Sequence, residues 1–281
     1  MKPDTNSLQH QFLHRSSEAI CPSGEPAAKV SLCRVPFNST DMGLQPAIDF
    51  YRDGQRQHAM RYVQLCLAAC PWQSADQFRL GLILAILNVE ADQPHDAWHQ
   101  MQLALSWRNQ REQDPVLLDA LPAIAAGEWL AMAAVALQVN DCHTAEVYAT
   151  EAIARTANHP SICVSDLLRD THADAITVLA AVRLRQRRFR ESALLLRLSR
   201  DAHTQAGDPE QVVVDLILSA DVQLQCGTVD AAGHLIAEAD QLLAGECTGE
   251  RHIRSGLLRQ VVEQRFRSIR QLTERQRASL N

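Results

Sequence analysis

Lysine is almost missing from this chain. Among 281 residues only Lys2 and Lys29 carry an ammonium group, so positive charge is otherwise supplied by arginine. The net charge of −6 is modest and spread along the sequence, which gives no global electrostatic case for nucleic acid or membrane binding. Aromatic residues make up only 5%, and strand-type alternation is rare, whereas Ala and Leu abound; together these favour helix over sheet. No uninterrupted apolar run approaches the roughly 20 residues that span a bilayer. The N-terminal stretch from Met1 to Arg15 has no apolar core of a secretory signal. The expected protein is soluble and cytoplasmic. The eight cysteines form no CxxC pair and no regular framework, so most of them read as small buried apolar residues of a reducing compartment. Gly-rich phosphate loops, nucleophile elbows and paired-carboxylate constellations are absent too. Neither catalysis nor a cofactor is expected.

What the chain does have is helical punctuation. Residues 1–45 hold Pro3, Pro22, Pro26 and Pro36 among Ser, Thr, Asn and Gly, the composition of a disordered leader. From Pro46 to Cys70 apolar residues return at helical intervals, as a capping helix or a degenerate first hairpin, and Pro71 stops it. Four helix pairs then follow: Phe78 to Val89 with Asp96 to Trp107, Gly127 to Val139 with His143 to Ala157, Thr171 to Arg185 with Phe189 to Thr204, and Val212 to Gln225 with Asp230 to Leu243. Short turn signals such as Asn140-Asp141 and Gly227-Thr228 separate the members of each pair. Residues 46–249 form one domain on this reading, and residues 250–281 a terminal amphipathic helix with Arg254, Leu258, Arg259, Val262, Phe266 and Arg270.

Within the pairs a pattern of small and bulky residues recurs. The clearest instance is Trp129, Met132, Ala133 and Ala136, followed by Ala145, Ala149 and Ala152. The others are Leu84 and Ala85 with Ala97, Met101 and Ala104, then Leu179 and Ala180 with Ser192, Leu196 and Ser199, and Ser219 and Ala220 with Ala232, Ile236 and Ala239. Small residues let two helices approach, and bulky ones fill the grooves between pairs. Over about residues 75–245 this resembles the tetratricopeptide family, in a long-period, degenerate form similar to repeats of bacterial signalling proteins. The resemblance implies an all-α, right-handed superhelix of antiparallel hairpins, an α-solenoid. It also implies a scaffold or regulator whose concave groove binds a protein or peptide. By alignment with that family the groove is lined by Arg79, Leu82, Ile86, Glu90, Leu130, Ala134, Gln138, Asp174, Thr177, Arg185, Ile217, Asp221 and Gln225. The lysine clamp with which some members hold carboxylate termini is excluded, because the array contains no lysine. Rival readings of the same resemblance are a nucleic-acid-linked regulator and a secretion chaperone or assembly factor.

Three local features carry separate expectations. His95 and His99 lie one turn apart on a helix, at a spacing that can chelate zinc, but no third ligand accompanies them and they read as surface histidines. Cys66 and Cys70 have the same spacing within ordinary apolar sequence, and no metal is assigned to them. Arg183, Arg185, Arg187, Arg188 and Arg190 crowd the third turn, and arginine also dominates the terminal helix. The apolar stripe of that helix makes it the element to which self-association as a homodimer, or docking of a partner, is assigned.

Overall fold

The structure is a computed structural model that describes residues 42–70, 75–112, 124–157, 166–245 and 261–274. Every regular element among the described residues is helical. A single 3-10 turn, Met42–Leu44, leads into α1 (Gln45–Arg52) and α2 (Arg56–Ala69), which pair with each other. Of the two alternatives drawn for this segment the structure shows the hairpin, a helix pair that packs onto the next helix. There follow α3 (Ala75–Glu90) with α4 (Pro94–Glu112), α5 (Ala126–Gln138) with α6 (Cys142–Ala157), α7 (Asp166–Arg185) with α8 (Phe189–Ala206), and α9 (Pro209–Gln225) with α10 (Val229–Gly245). Residues 261–274 form α11. The four sequence-predicted pairs are all present. Of the leader expected over residues 1–45, residues 42–45 are the 3-10 turn and the first residue of α1, while residues 1–41 and the flanks of α11 lie outside the described residues.

One turn geometry closes all five pairs. Gly54, Asp92, Asn140, Arg187 and Gly227 adopt left-handed backbone, with φ of 74, 59, 64, 59 and 78°. At each, the left-handed residue donates its N–H to a carbonyl three positions back and the next residue donates to one five positions back. Asn140 to Leu137 at 3.0 Å and Asp141 to Ala136 at 3.0 Å show the pattern, and Arg187 to Leu184 with Arg188 to Arg183 repeat it. This is how orphan carbonyls of a helix end are satisfied when the chain must reverse. Four residues after the second donor comes a fully buried small residue each time: Ala59, Ala97, Ala145, Ser192 and Ala232. Glycine, Asn and Asp adopt this backbone readily, while Arg187 holds it against the steric preference of an L side chain.

The first helix of each later pair lies inside. α3 contacts α5, α5 contacts α7 and α7 contacts α9, in addition to each helix's own partner. Packed on several sides, these helices are buried over nearly continuous runs, Leu82 to Leu87, Leu130 to Leu137 and Val212 to Leu218. The second helices bury one stripe only. It reads Ala97, Met101 and Ala104 on α4, Ala145, Ala149, Ala152 and Thr156 on α6, Ser192, Leu196, Ser199 and His203 on α8, and Ala232, Ile236, Ala239 and Leu243 on α10.

Close approach within a pair is tightest at Gly81 of α3. A methyl group built there would lie 2.8 Å from Ala104 Cβ and 3.3 Å from the ring of Trp107. Gly81→Val should therefore push α3 off α4, lowering stability by roughly 1–3 kcal/mol as overpacking does. Urea unfolding followed by circular dichroism checks this, and an unchanged midpoint would show that the two helices can separate freely.

Candidate functional site

The residues assigned to the groove are mostly inside the protein. Leu82, Ile86, Leu130, Ala134, Asp174, Thr177 and Ile217 are all buried, none more than 4% exposed. The expected open face is corrected here: in this fold the first helices pack on one another as well as on their partners, so that face is spent on contacts within the chain. Of the assigned residues, those near the turn end of the first helices reach solvent, with Gln138 half-buried and Arg185 and Gln225 exposed. Even there several are engaged. Tyr51 of α1 donates to Glu90 at 2.8 Å, Arg56 of α2 approaches the same carboxylate at 3.8 Å, and Arg185 donates to Asn140 Oδ1 at 3.1 Å. Arg79 is half-buried.

Part of the terminal helix packs on this chain. Val262 and Ile269, seven residues apart on α11, are 1% and 8% exposed and belong to the common core. Arg265 reaches across to Asp221 of α9 at 2.8 Å. A methyl group at Gly233 of α10 would lie 3.9 Å from Ile269, so the described part of α11 packs on the last pair through Val262 and Ile269. Phe266 and Arg270 face solvent, while Arg254, Leu258 and Arg259 lie outside the described residues.

His95 and His99 are exposed, as expected. No group of three His, Cys, Asp or Glu among the described residues is placed to hold a metal ion. The described cysteines are less buried than expected, for Cys66, Cys70 and Cys142 are half-buried and Cys226 is exposed. No described helix is long and apolar enough to cross a membrane.

The feature that sequence reading missed is a buried polar chain between the third and fourth pairs. The stripe of α8 carries Ser, Leu, Ser and His where that of α10 carries Ala, Ile, Ala and Leu. Ser199 and His203 are completely buried, as is Asp215 of α9. His203 Nδ1 lies 2.7 Å from Asp215 Oδ2, and its Nε2 lies 3.2 Å from Asp174 Oδ1 on α7. Asp215 Oδ1 accepts from Thr177 of α7 at 2.8 Å and from Ser199 at 2.9 Å. Burial works against a charged imidazole here, but hydrogen bonds and attraction from the two carboxylates outweigh it and push His203 up to about 9. It is therefore an imidazolium at neutral pH. Burial also raises Asp215, opposed by His203, Thr177 and Ser199. Because all its partners can donate, Asp215 stands as the carboxylate that joins three helices.

This constellation superficially offers a hydroxyl, an imidazole and a carboxylate. Both imidazole nitrogens face carboxylates, however, and Ser199 donates to Asp215 rather than to His203. A nucleophile must share a proton with the base, and the base needs access to substrate. With His203 wholly buried, the arrangement clamps helices and does not present reactive atoms.

Around the third turn the arginines fall into two sets. Arg183 pairs with Glu146 of α6 at 2.6 Å and with Glu191 at 3.4 Å, and Arg188 pairs with Glu191 at 2.6 Å. Glu146 is held down to about 2 by hydrogen bonds from Arg183 and Gln186. This half of the cluster is a strut between α6 and the α7–α8 turn. Arg187 and Arg190 point into solvent. No protein-family model matches the chain, and no curated protein matches it.

Proposed function

We propose that the chain is a non-catalytic helical-repeat scaffold of the tetratricopeptide-like kind, an α-solenoid of right-handed sense that binds a protein or peptide partner. The observation that carries this reading is the turn that recurs five times with one hydrogen-bond pattern, each time four residues ahead of a fully buried small residue. Recurrence at roughly forty to fifty residues is what stacked helix pairs produce, since each pair buries its apolar face only against its neighbours. Successive contacts among α3, α5, α7 and α9 support the same stacking. Stacked pairs leave extended outer surfaces and rows of turns exposed, and such proteins work by displaying these to partners. With the groove face largely buried, recognition falls to the turn ends and the outer helices.

The test is affinity purification with the immobilised full chain from extracts of its source cells, followed by mass spectrometry and by light scattering of the eluted complex. A protein recovered at fixed stoichiometry is the expected result. Recovery of nucleic acid alone, in amounts that fall steeply with added salt, would point to the nucleic-acid reading instead.

A further inference from the structure

The outer face of α8 has an unusual make-up. Leu194 is 59% and Leu198 50% exposed, two of the five large apolar residues that the described part of the chain presents to solvent. They sit one helical turn apart and so share a face. Arg190 and Arg197 flank them at helical spacing, both exposed and neither ion-paired among the described residues. Their acidic neighbour Glu191 is already occupied by Arg183 and Arg188, so the positive charge beside the leucines is uncompensated until Asp201 at the far end. Val147 of α6 is 51% exposed. It stands two residues after the buried Ala145, just as Leu194 stands two after the buried Ser192, so the corresponding place on the preceding outer helix is apolar as well.

We propose that this face of α8 docks an acidic amphipathic helix of a partner protein, a reading that rests on the scaffold function above. A helix laid on α8 would seat its own apolar residues over Leu194 and Leu198 and set carboxylates against Arg190 and Arg197. This is the helix-on-helix mode of recognition, with the basic rim choosing partner and orientation. Charge selects this occupant over its rivals. A nucleic acid would meet the arginines but gain nothing from two exposed leucines. A bilayer surface wants a longer apolar face than one that ends at Asp201 and Gln205.

The test places the photoreactive residue benzoylphenylalanine at position 194 of the full chain, with position 102 on the exposed side of α4 as control, and maps the crosslinked peptide by mass spectrometry. The expected product comes from position 194 alone and is an acidic segment with apolar residues at helical spacing. Its yield should fall about tenfold in an Arg190→Glu/Arg197→Glu chain, as rim charges in opposition demand. A crosslinked segment that is basic, a crosslink to phospholipid, or a yield indifferent to the two substitutions overturns the proposal. If the full chain recovers a partner whose crosslinks arise only away from α8, the docking face is wrong while the scaffold reading stands. If it recovers no protein at all, both fall.

Discussion

Replacing His203 with alanine is expected to destabilise the protein by about 3–5 kcal/mol, the usual cost of leaving buried charge without its partner. The loss arises because Asp174 and Asp215 are packed against the imidazole from α7 and α9, and they face each other across it. Removing the whole charge set should behave differently. With Asp174→Val, His203→Leu and Asp215→Val together, no carboxylate remains to be solvated, and an apolar set of similar volume often equals or exceeds a buried ion pair. The remaining hydroxyls keep acceptors in their own helices, Thr177 to Ala173 O at 3.3 Å and Ser199 to Leu196 O at 3.1 Å. The triple variant should therefore recover most of the stability that the single variant loses. Urea unfolding of the three proteins measures this, and a His203→Ala cost below about 1 kcal/mol would mean that the clamp is idle.

The clamp also sets a pH dependence. The folded pKa of His203, about 9, lies above its ordinary 6.5. A group whose pKa is raised on folding contributes fully below its unfolded value and loses that contribution as pH rises through the folded one. The charged groups facing it are Asp174 on α7 and Asp215 on α9. The melting temperature should thus fall between about pH 6.5 and 9, and this slope should vanish in the triple variant. Loosening should begin where α7, α8 and α9 meet, which amide hydrogen exchange would locate.

Architecture was far more legible in the sequence than the working surface, for a physical reason. Small residues at close helix contacts leave a strong trace, and Ala97, Ala145, Ala149, Ala152, Ala232 and Ala239 are all fully buried where the pattern puts them. Asn140 and Gly227 likewise announce turns through their tolerance of left-handed backbone. Burial on the opposite face of the first helices depends on which neighbours arrive there, and that is a property of long-range packing. Leu82, Leu130 and Ile217 look alike whether they line a groove or a core. The polar clamp was hidden differently. Ser192 and Ser199 read as small residues standing in for alanine, which is true of their size but not of their hydrogen bonds. The signal that could have revealed it is the coincidence of polar residues at core positions on three neighbouring helices, Thr177, His203 and Asp215, since buried polar groups are seldom placed singly.

A chain ending at Gly249 should lose several kcal/mol of stability, because α11 is part of the body. Val262 and Ile269 are buried against the last pair, and fully burying an aliphatic side chain is worth about 1.5–3 kcal/mol, so the two together approach 3–6 kcal/mol. Asp221 would also lose the guanidinium of Arg265 that meets it at 2.8 Å. Deleting α11 uncovers the apolar faces of α9 and α10 that it packs on, and terminal elements of stacked helix pairs are what keep such faces from water. The truncated protein is expected to melt earlier and to self-associate, with light scattering showing concentration-dependent growth. A Val262→Asp chain of full length should show the same direction through a single buried charge, and it separates loss of packing from loss of chain length. Were α11 instead a detachable docking arm, both variants would melt like the intact protein and stay at its size, and any shared partner would be lost only on truncation. The burial of Val262 and Ile269 favours the first outcome.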